Sequence, residues 1–184
     1  EHRAPANRLT RAYGLNKQAP SPLSLHLTGL DRAPPLALPA DAHVQRWTSL
    51  IRIGPSAEDY FAPDELVWLS PDAEEPLLEL DARHVYVVGG LVDRSRRSSL
   101  SRARARERNL PALRLPLREH APRPNVDPVL SIVAVVQALG AVHSGASWGD
   151  ALELAVPKRY VARRDRERER RLRDNAEAQE KEVA

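Results

Sequence analysis

The sequence contains no cysteine and no methionine. Without cysteine, disulfide bonds, thiolate zinc sites and cysteine-based catalysis are excluded. The lack of methionine, including an initiator, predicts that the chain is a processed or trimmed part of something longer. None of the six histidines has a second ligand at HExxH or similar spacing. We therefore expect no metal site.

The chain also has no apolar run long enough to cross a membrane, and its start, EHRAPANR, has no hydrophobic signal core. We expect a soluble protein with no membrane partner. Its 184 residues, 42% of them hydrophobic, can bury one sizeable core, which favours a single domain with tails. The net charge is only +3, so a polyanionic partner has to be bound by a local patch.

Short apolar runs alternate with longer amphipathic ones, which is typical of an α/β domain with a largely parallel sheet. Strands are predicted at 23–27, 66–69, 84–88 and 112–115, the middle two fully buried. Helices are predicted at 8–13, 41–51, 74–80, 99–108, 127–139 and 148–154. The proline-rich segments 31–39 and 119–128 are predicted to be loops. The charged segment 161–184 is predicted to be a solvated helical tail.

A glycine pair, Gly89 and Gly90, follows the buried strand VYVV. Such glycines let backbone N–H groups approach a ligand closely, although a plain tight turn is the alternative. The GxGxxG and GxxxxGK[ST] patterns are absent, which excludes the common dinucleotide and triphosphate sites. Since parallel strands end at one edge of a sheet, the segments that end three strands, Leu69–Asp72, Gly89–Asp93 and Leu115–Leu117, are predicted to wall one pocket.

Seven arginines lie within residues 94–108. This density predicts a local site for a polyanion, and a solvated helix face is the alternative. Arg97, Arg104 and Arg108 fall near one another at helical spacing, so one helix face can follow a phosphate backbone.

Asp127 lies directly before a proline in the sequence NVDP. Aspartate is a preferred N-cap residue and proline is favoured at the first helical position. Considered alone, this motif favours capping of the following helix over a role in a ligand site.

The blocks LVWLSPD, VYVVGGLVDRS, ALRLPL, SWGDAL and AVPKRY, in this order and spacing, resemble the family of tRNA methyltransferases that modify N1 of the purine at tRNA position 9. This family is a branch of the knotted SPOUT superfamily. The segments RWTSLIRIGPSAEDYF and VPKR, together with Asp127, look most like the mitochondrial member, which is also a subunit of protein-only mitochondrial RNase P. The resemblance implies a parallel-sheet SPOUT domain with a C-terminal trefoil knot over residues 1–160, lacking the first strand, followed by the tail 161–184.

The resemblance also implies S-adenosyl-L-methionine as cofactor. The implied pocket residues are Leu69, Gly89, Gly90, Asp93, Arg94, Ser95, Arg96, Arg97, Ser101, Leu115, Asn125, Val126 and Asp127. Asp93 and Asp127 are the catalytic carboxylates that the resemblance implies. Guanine N1 carries a proton that has to leave, which a nearby carboxylate can accept, whereas adenine N1 already presents a lone pair. A carboxylate beside the sulfonium can instead bind the cofactor, and the sequence does not separate these roles.

The arginines predicted to bind RNA are Arg94, Arg97, Arg102, Arg104 and Arg108. The expected function is methylation of N1 of guanine or adenine at position 9 of tRNA. A role in holding precursor tRNA for a short-chain dehydrogenase subunit and a metallonuclease subunit is implied by the mitochondrial likeness, as is a mitochondrial location; the alternative location is nuclear or cytoplasmic. The alternative function is a non-catalytic tRNA-binding scaffold or a structural component of a ribonucleoprotein.

Overall fold

Parallel β-strands form the framework of the fold. The computed structural model describes residues 3–29, 50–52, 54–89, 105–121 and 126–156. Within these residues the strands are β1 (Leu25–Leu27), β2 (Leu50–Arg52), β3 (Leu66–Leu69), β4 (Val85–Val88) and β5 (Ala112–Leu113). β1 pairs with β2, and β3 lies between β4 and β5. Every pair is parallel, which confirms the predicted α/β fold with a parallel sheet.

Helices flank these strands. They are α1 (Arg3–Gln18), α2 (Ala57–Tyr60), a 3₁₀ turn (Pro63–Glu65), α3 (Leu117–His120), α4 (Ile132–His143) and α5 (Trp148–Ala155). The last helix was predicted almost residue for residue. The first was predicted at 8–13 and extends further in both directions. None of the helices in the described ranges has the length and apolarity needed to cross a bilayer.

Helix α4 lies at the centre of the hydrophobic core. One side of it packs, through Ala138 and Leu139, in a cluster that contains Leu69 of β3 and Leu152 of α5. Its other side packs, through Val133 and Val136, on α1. Because both sides are covered, α4 is apolar almost all round, as the sequence IVAVVQALGAV shows.

The helix predicted at 41–51 is wrong at its end, because residues 50–52 form strand β2. β2 pairs in register with β1, with Leu25 opposite Leu50 and Leu27 opposite Arg52. An apolar spacing of three to four residues favoured a helix. In the structure the backbone of residues 50–52 pairs with β1, so these residues form a strand. Residues 41–49 lie outside the described part of the chain.

The helix predicted at 74–80 is also wrong. Pro76 forms a parallel bridge with Arg114, and the flanking backbone groups bond to Arg114 as well: the Arg114 N–H donates to the Glu75 carbonyl and the Leu77 N–H to the Arg114 carbonyl, at 2.9 and 2.8 Å. A proline interrupts helical bonding, and these groups find partners on the neighbouring strand instead. The fourth predicted strand, 112–115, is accordingly shorter, with β5 ending at Leu113.

Three smaller predictions also change. β4 was predicted to be fully buried, but its residues are half-buried because it lies at one side of the β4-β3-β5 sheet, where β3 is central and buried. The loop predicted at 119–128 begins only after His120, because residues 117–120 form helix α3. Of the helix predicted at 99–108, residues 105–107 are helical and 99–104 lie outside the described residues. The segments 31–39 and 161–184 lie outside them as well.

The predicted capping of a helix by Asp127 is wrong. α4 begins at Ile132, and its N-cap is Ser131, whose side-chain oxygen accepts a hydrogen bond from the Ala134 N–H at 3.2 Å. Asp127 instead accepts from the N–H of Val129 through Oδ1 at 2.9 Å. Serine and aspartate are both good N-cap residues, so the residue type alone does not predict which of them caps the helix. In the structure Asp127 forms the turn that precedes α4.

Replacement of Ser131 by alanine is expected to lower the free energy of unfolding by about 1 kcal/mol, because the Ala134 N–H loses its acceptor. Ser144→Ala, at the other end of α4, is the matched control, since Ser144 caps the helix through its backbone N–H, which donates to the Gly140 carbonyl and is kept in alanine. Urea unfolding followed by circular dichroism measures both. Equal midpoints for the two variants would contradict the assignment of the cap.

Candidate functional site

The carboxyl ends of β3, β4 and β5 lie side by side. Leu69 is opposite Val88 in one pair and opposite Leu113 in the other. We call this the carboxyl edge, and it comprises Leu69, Val88, Gly89 and the residues from Leu113 to Leu115. The structure thus brings together Leu69, Gly89 and Leu115, as the strand pattern predicted. Gly89 is exposed at this edge, so its backbone is open to a ligand.

The segment that begins at Val126 belongs to the same neighbourhood. Val126 packs against the hydrophobic cluster that contains Leu69, and so do Val88 and Leu115. These three side chains are half-buried, so each contacts the core and still presents surface to the edge. The packing therefore joins the strand ends to the residue that directly precedes Asp127.

The Asp127 side chain is half-buried, and it has one structural bond. Oδ1 accepts from the Val129 N–H, which shapes a tight turn before α4. Within the described part of the chain its other oxygen, Oδ2, has no hydrogen-bond partner. A carboxylate oriented by one oxygen and open at the other can accept a proton or lie beside a cation.

The chain turns sharply just after β5. The Leu117 N–H donates to the Leu115 carbonyl at 2.8 Å, and the residue between them, Pro116, has φ −78° and ψ 52°. This is an inverse γ-turn, which is common where strands end. It presents Leu115 at the carboxyl edge and leads directly into α3.

Arg114 and Glu119 flank this turn, and sequence analysis did not single them out. Nη1 and Nη2 of Arg114 donate to the two carboxylate oxygens of Glu119 at 2.9 and 2.7 Å. Arg114 is only 8% exposed, and the guanidinium lowers the pKa of Glu119 to about 2, chiefly by hydrogen bonding. The sequence feature that indicates this pair is an arginine inside the apolar run ALRL, followed by a glutamate five residues later.

Arg108, predicted to bind RNA, lies at the opposite end of the sheet. It precedes β5, whereas the carboxyl edge follows the strands. Its Nη1 lies 3.9 Å from Oδ1 of Asp59, and its side chain is about half exposed. Its role in RNA binding stays a prediction, and its position places it away from Leu115.

Several predicted site residues fall outside the described part of the chain. They are Gly90, Asp93, Arg94, Ser95, Arg96, Arg97, Ser101, Arg102, Arg104 and Asn125. Their roles stay predictions from the sequence.

A cleft of about 500 Å³ lies elsewhere, near the end of α4. Its lining includes Leu78, Leu80, Val142 and Trp148, and the Trp148 indole N–H donates to the Leu78 carbonyl at 2.7 Å beside it. None of the predicted cofactor residues lines this cleft. Among the residues that the structure describes, no three histidine, aspartate or glutamate side chains are grouped to hold a metal.

Most of the sequence matches known proteins. Residues 1–161 match the family described as tRNA (guanine(9)-N(1))-methyltransferase TRM10/TRM10A. The chain belongs to this family. It is 31% identical to the tRNA methyltransferase 10 homolog B of Rattus norvegicus, with 82% of this chain and 50% of the relative covered. The tRNA (guanine(9)-N(1))-methyltransferase Trmt10A of Drosophila melanogaster is 30% identical, with coverage of 83% and 48%.

The fold agrees with that of a solved Trm10 protein. The crystal structure of full-length spTrm10 in complex with SAH superimposes with a TM-score of 0.74 at 23% identity, covering 85% of this chain and 86% of that one. This likeness shows the TRM10, or SPOUT, fold of the chain; the knot stays a prediction. The chain spans about half the length of the curated TRM10 relatives it matches.

Proposed function

We propose that this TRM10-family chain transfers a methyl group from S-adenosyl-L-methionine to N1 of guanine at position 9 of tRNA. The observation that carries the proposal is the meeting of Leu69, Gly89 and Leu115 at the carboxyl edge with Asp127 one residue beyond the packed Val126. In open parallel sheets, ligands bind outside the carboxyl ends of the strands. The family membership supports the choice of reaction.

The residues present fit this cofactor. Half-buried Val88, Leu115 and Val126 provide apolar surface for its adenine and methionine carbons, and the exposed backbone at Gly89 provides polar groups without a side chain in the way. The Asp127 carboxylate suits a positively charged sulfur. When bound, the cofactor supplies a methyl carbon activated by that positive charge.

The chain's own residues have two tasks in this reaction. The fixed strand ends and the Pro116 turn hold the binding groups in place, so that the reacting atoms are kept in contact and in line. Asp127 accepts the proton that leaves guanine N1, and its Oδ1 bond to Val129 orients the carboxylate for this step. Asp93, predicted from the sequence, is the second candidate carboxylate.

We also propose that the arginines at 94, 97, 102 and 104 contact the tRNA phosphates. The mitochondrial likeness of the sequence supports a further role in holding precursor tRNA for a dehydrogenase and a nuclease subunit, and a mitochondrial location. Affinity for tRNA should then fall steeply as salt is raised, because phosphate contacts release counterions.

Calorimetry with S-adenosylhomocysteine and S-adenosylmethionine tests the proposal. We expect saturable binding of both with a stoichiometry of one per chain, and transfer of a labelled methyl group to a tRNA transcript with guanosine at position 9. Binding of tRNA with no detectable binding of either cofactor would overturn the proposal in favour of a non-catalytic scaffold. A transcript with uridine at position 9 is the control.

A further inference from the structure

Arg114 is held through both its backbone and its side chain. Its side chain is 9% exposed. Its backbone is held by the neighbouring segment, because its N–H donates to the Glu75 carbonyl and its carbonyl accepts from Leu77. These two backbone hydrogen bonds therefore hold the chain just after β5 against residues 75–77.

The Arg114 side chain fixes the other side of the turn. Its two terminal nitrogens bind both oxygens of Glu119 in α3, and within the described residues its Nε has no partner. All guanidinium hydrogen bonds are thus directed to Glu119. Such planar bidentate pairs restrict geometry more than a single ionic contact does.

The residues between the two partners form the tight turn of the carboxyl edge. Leu115 and Leu117 are joined by the 2.8 Å backbone bond around Pro116, and Leu117 is buried in the same cluster as Leu69. The ion pair thus closes a short ring whose other side is this turn. Because Leu115 directly follows Arg114, a change in the geometry of the ion pair is expected to shift the backbone of Leu115.

From this arrangement we infer that Arg114 and Glu119 are positioning residues for the cofactor: their ion pair holds Leu115 in the backbone conformation that binds S-adenosylmethionine. The inference rests on the proposed function of the carboxyl edge. Neither residue has to touch the cofactor. A turn that is already ordered before binding loses less conformational freedom when the ligand arrives.

Glu119→Gln tests the inference with the smallest change of shape. The amide keeps one acceptor oxygen but loses the charge and the second bond to Arg114. We expect the dissociation constant for S-adenosylhomocysteine, measured by calorimetry, to rise about tenfold because the turn has to be ordered on binding. Arg114→Lys, which keeps the charge but lacks the fork, should show the same direction.

Asp81→Asn is the matched control. Asp81 forms a similar pair with Arg83, at 2.7 Å between Oδ2 and Nη2, but it lies in the loop that leads into β4, at the opposite end of the sheet. This variant should bind S-adenosylhomocysteine like the unaltered protein. At saturating cofactor, Glu119→Gln should keep kcat within about twofold while the KM for the cofactor rises, a split expected when ground-state binding alone is lost.

Each outcome has a distinct meaning. If the unaltered protein binds no S-adenosylhomocysteine, the proposed function and the inference both fail. If it binds and Glu119→Gln and Arg114→Lys bind equally well while both are folded, the inference alone is overturned. A lower melting temperature with an unchanged dissociation constant would show a purely structural pair, which also overturns it.

Discussion

Asp127→Asn is expected to lower kcat/KM for methylation of guanine at position 9 by about 10²- to 10⁴-fold, the range for loss of a general base. Asparagine is nearly the same size, and its Oδ1 can still accept the Val129 N–H that Asp127 accepts now. The turn before α4 should therefore survive the change. What is lost is a group that can take up the N1 proton.

The measurement is single-turnover methyl transfer with saturating cofactor on guanosine-9 and adenosine-9 transcripts. Adenine N1 has a free lone pair, so the loss on the adenosine transcript should be smaller. Asp64→Asn is the control, because Asp64 is an exposed carboxylate in the turn before β3, at the opposite end of that strand from Leu69. Full activity of Asp127→Asn on guanosine would exclude Asp127 as the base and leave Asp93 as the candidate.

Leu152→Ala is expected to cost about 2–5 kcal/mol of the free energy of unfolding, the usual loss for a buried leucine. Leu152 has no exposed surface and lies in the cluster formed by α4, α5 and the end of β3. Truncation leaves a cavity between elements that cannot easily close, since α4 is also held by α1 on its other side. This cluster supports Leu115 and Val126, so cofactor binding should weaken on heating as well.

Leu154→Ala, on the same helix, provides the comparison. Leu154 is 64% exposed, and its truncation should change stability by no more than about 0.5 kcal/mol. For a chain of this size each kcal/mol corresponds to roughly 2–4 °C in melting temperature, so differential scanning calorimetry resolves the two variants. Similar losses for both would mean that α5 is not packed as described.

The strands were largely predictable, whereas the helix predicted at 74–80 is wrong and the one predicted at 41–51 is wrong at its end. LVWL and VYVV are short apolar runs bounded by turn residues, and both are strands. Segment 74–80 has a helical apolar spacing, yet its backbone bonds to Arg114. Residues 50–52 pair with β1 in the same way. Periodicity reports which residues are apolar, but it does not report whether a neighbouring strand is available for pairing.

The candidate site divides along similar lines. Leu69, Gly89 and Leu115 were predictable because each lies at the end of an apolar run or directly after it, and parallel strands end at a common edge. Asp127 was ambiguous, because NVDP fits a helix cap as well as a ligand site; the Ser131 cap excludes the first of these, and the second stays a prediction. The Arg114–Glu119 pair gave only a faint signal, since a charge within an apolar run does not reveal its partner.

The α/β class of fold, the apolar strands LVWL and VYVV and, through the resemblance, the family could all be predicted from the amino-acid sequence. The three-dimensional structure was needed to show which residue caps α4, that residues 50–52 are a strand, and that the buried Arg114 pairs with Glu119 across the turn at Leu115. The physical reason is that local patterns follow from neighbours along the chain. Backbone pairing between strands and the formation of ion pairs depend on groups that folding brings close together. The free energy of these contacts selects between helix and strand where the local sequence pattern favours neither strongly.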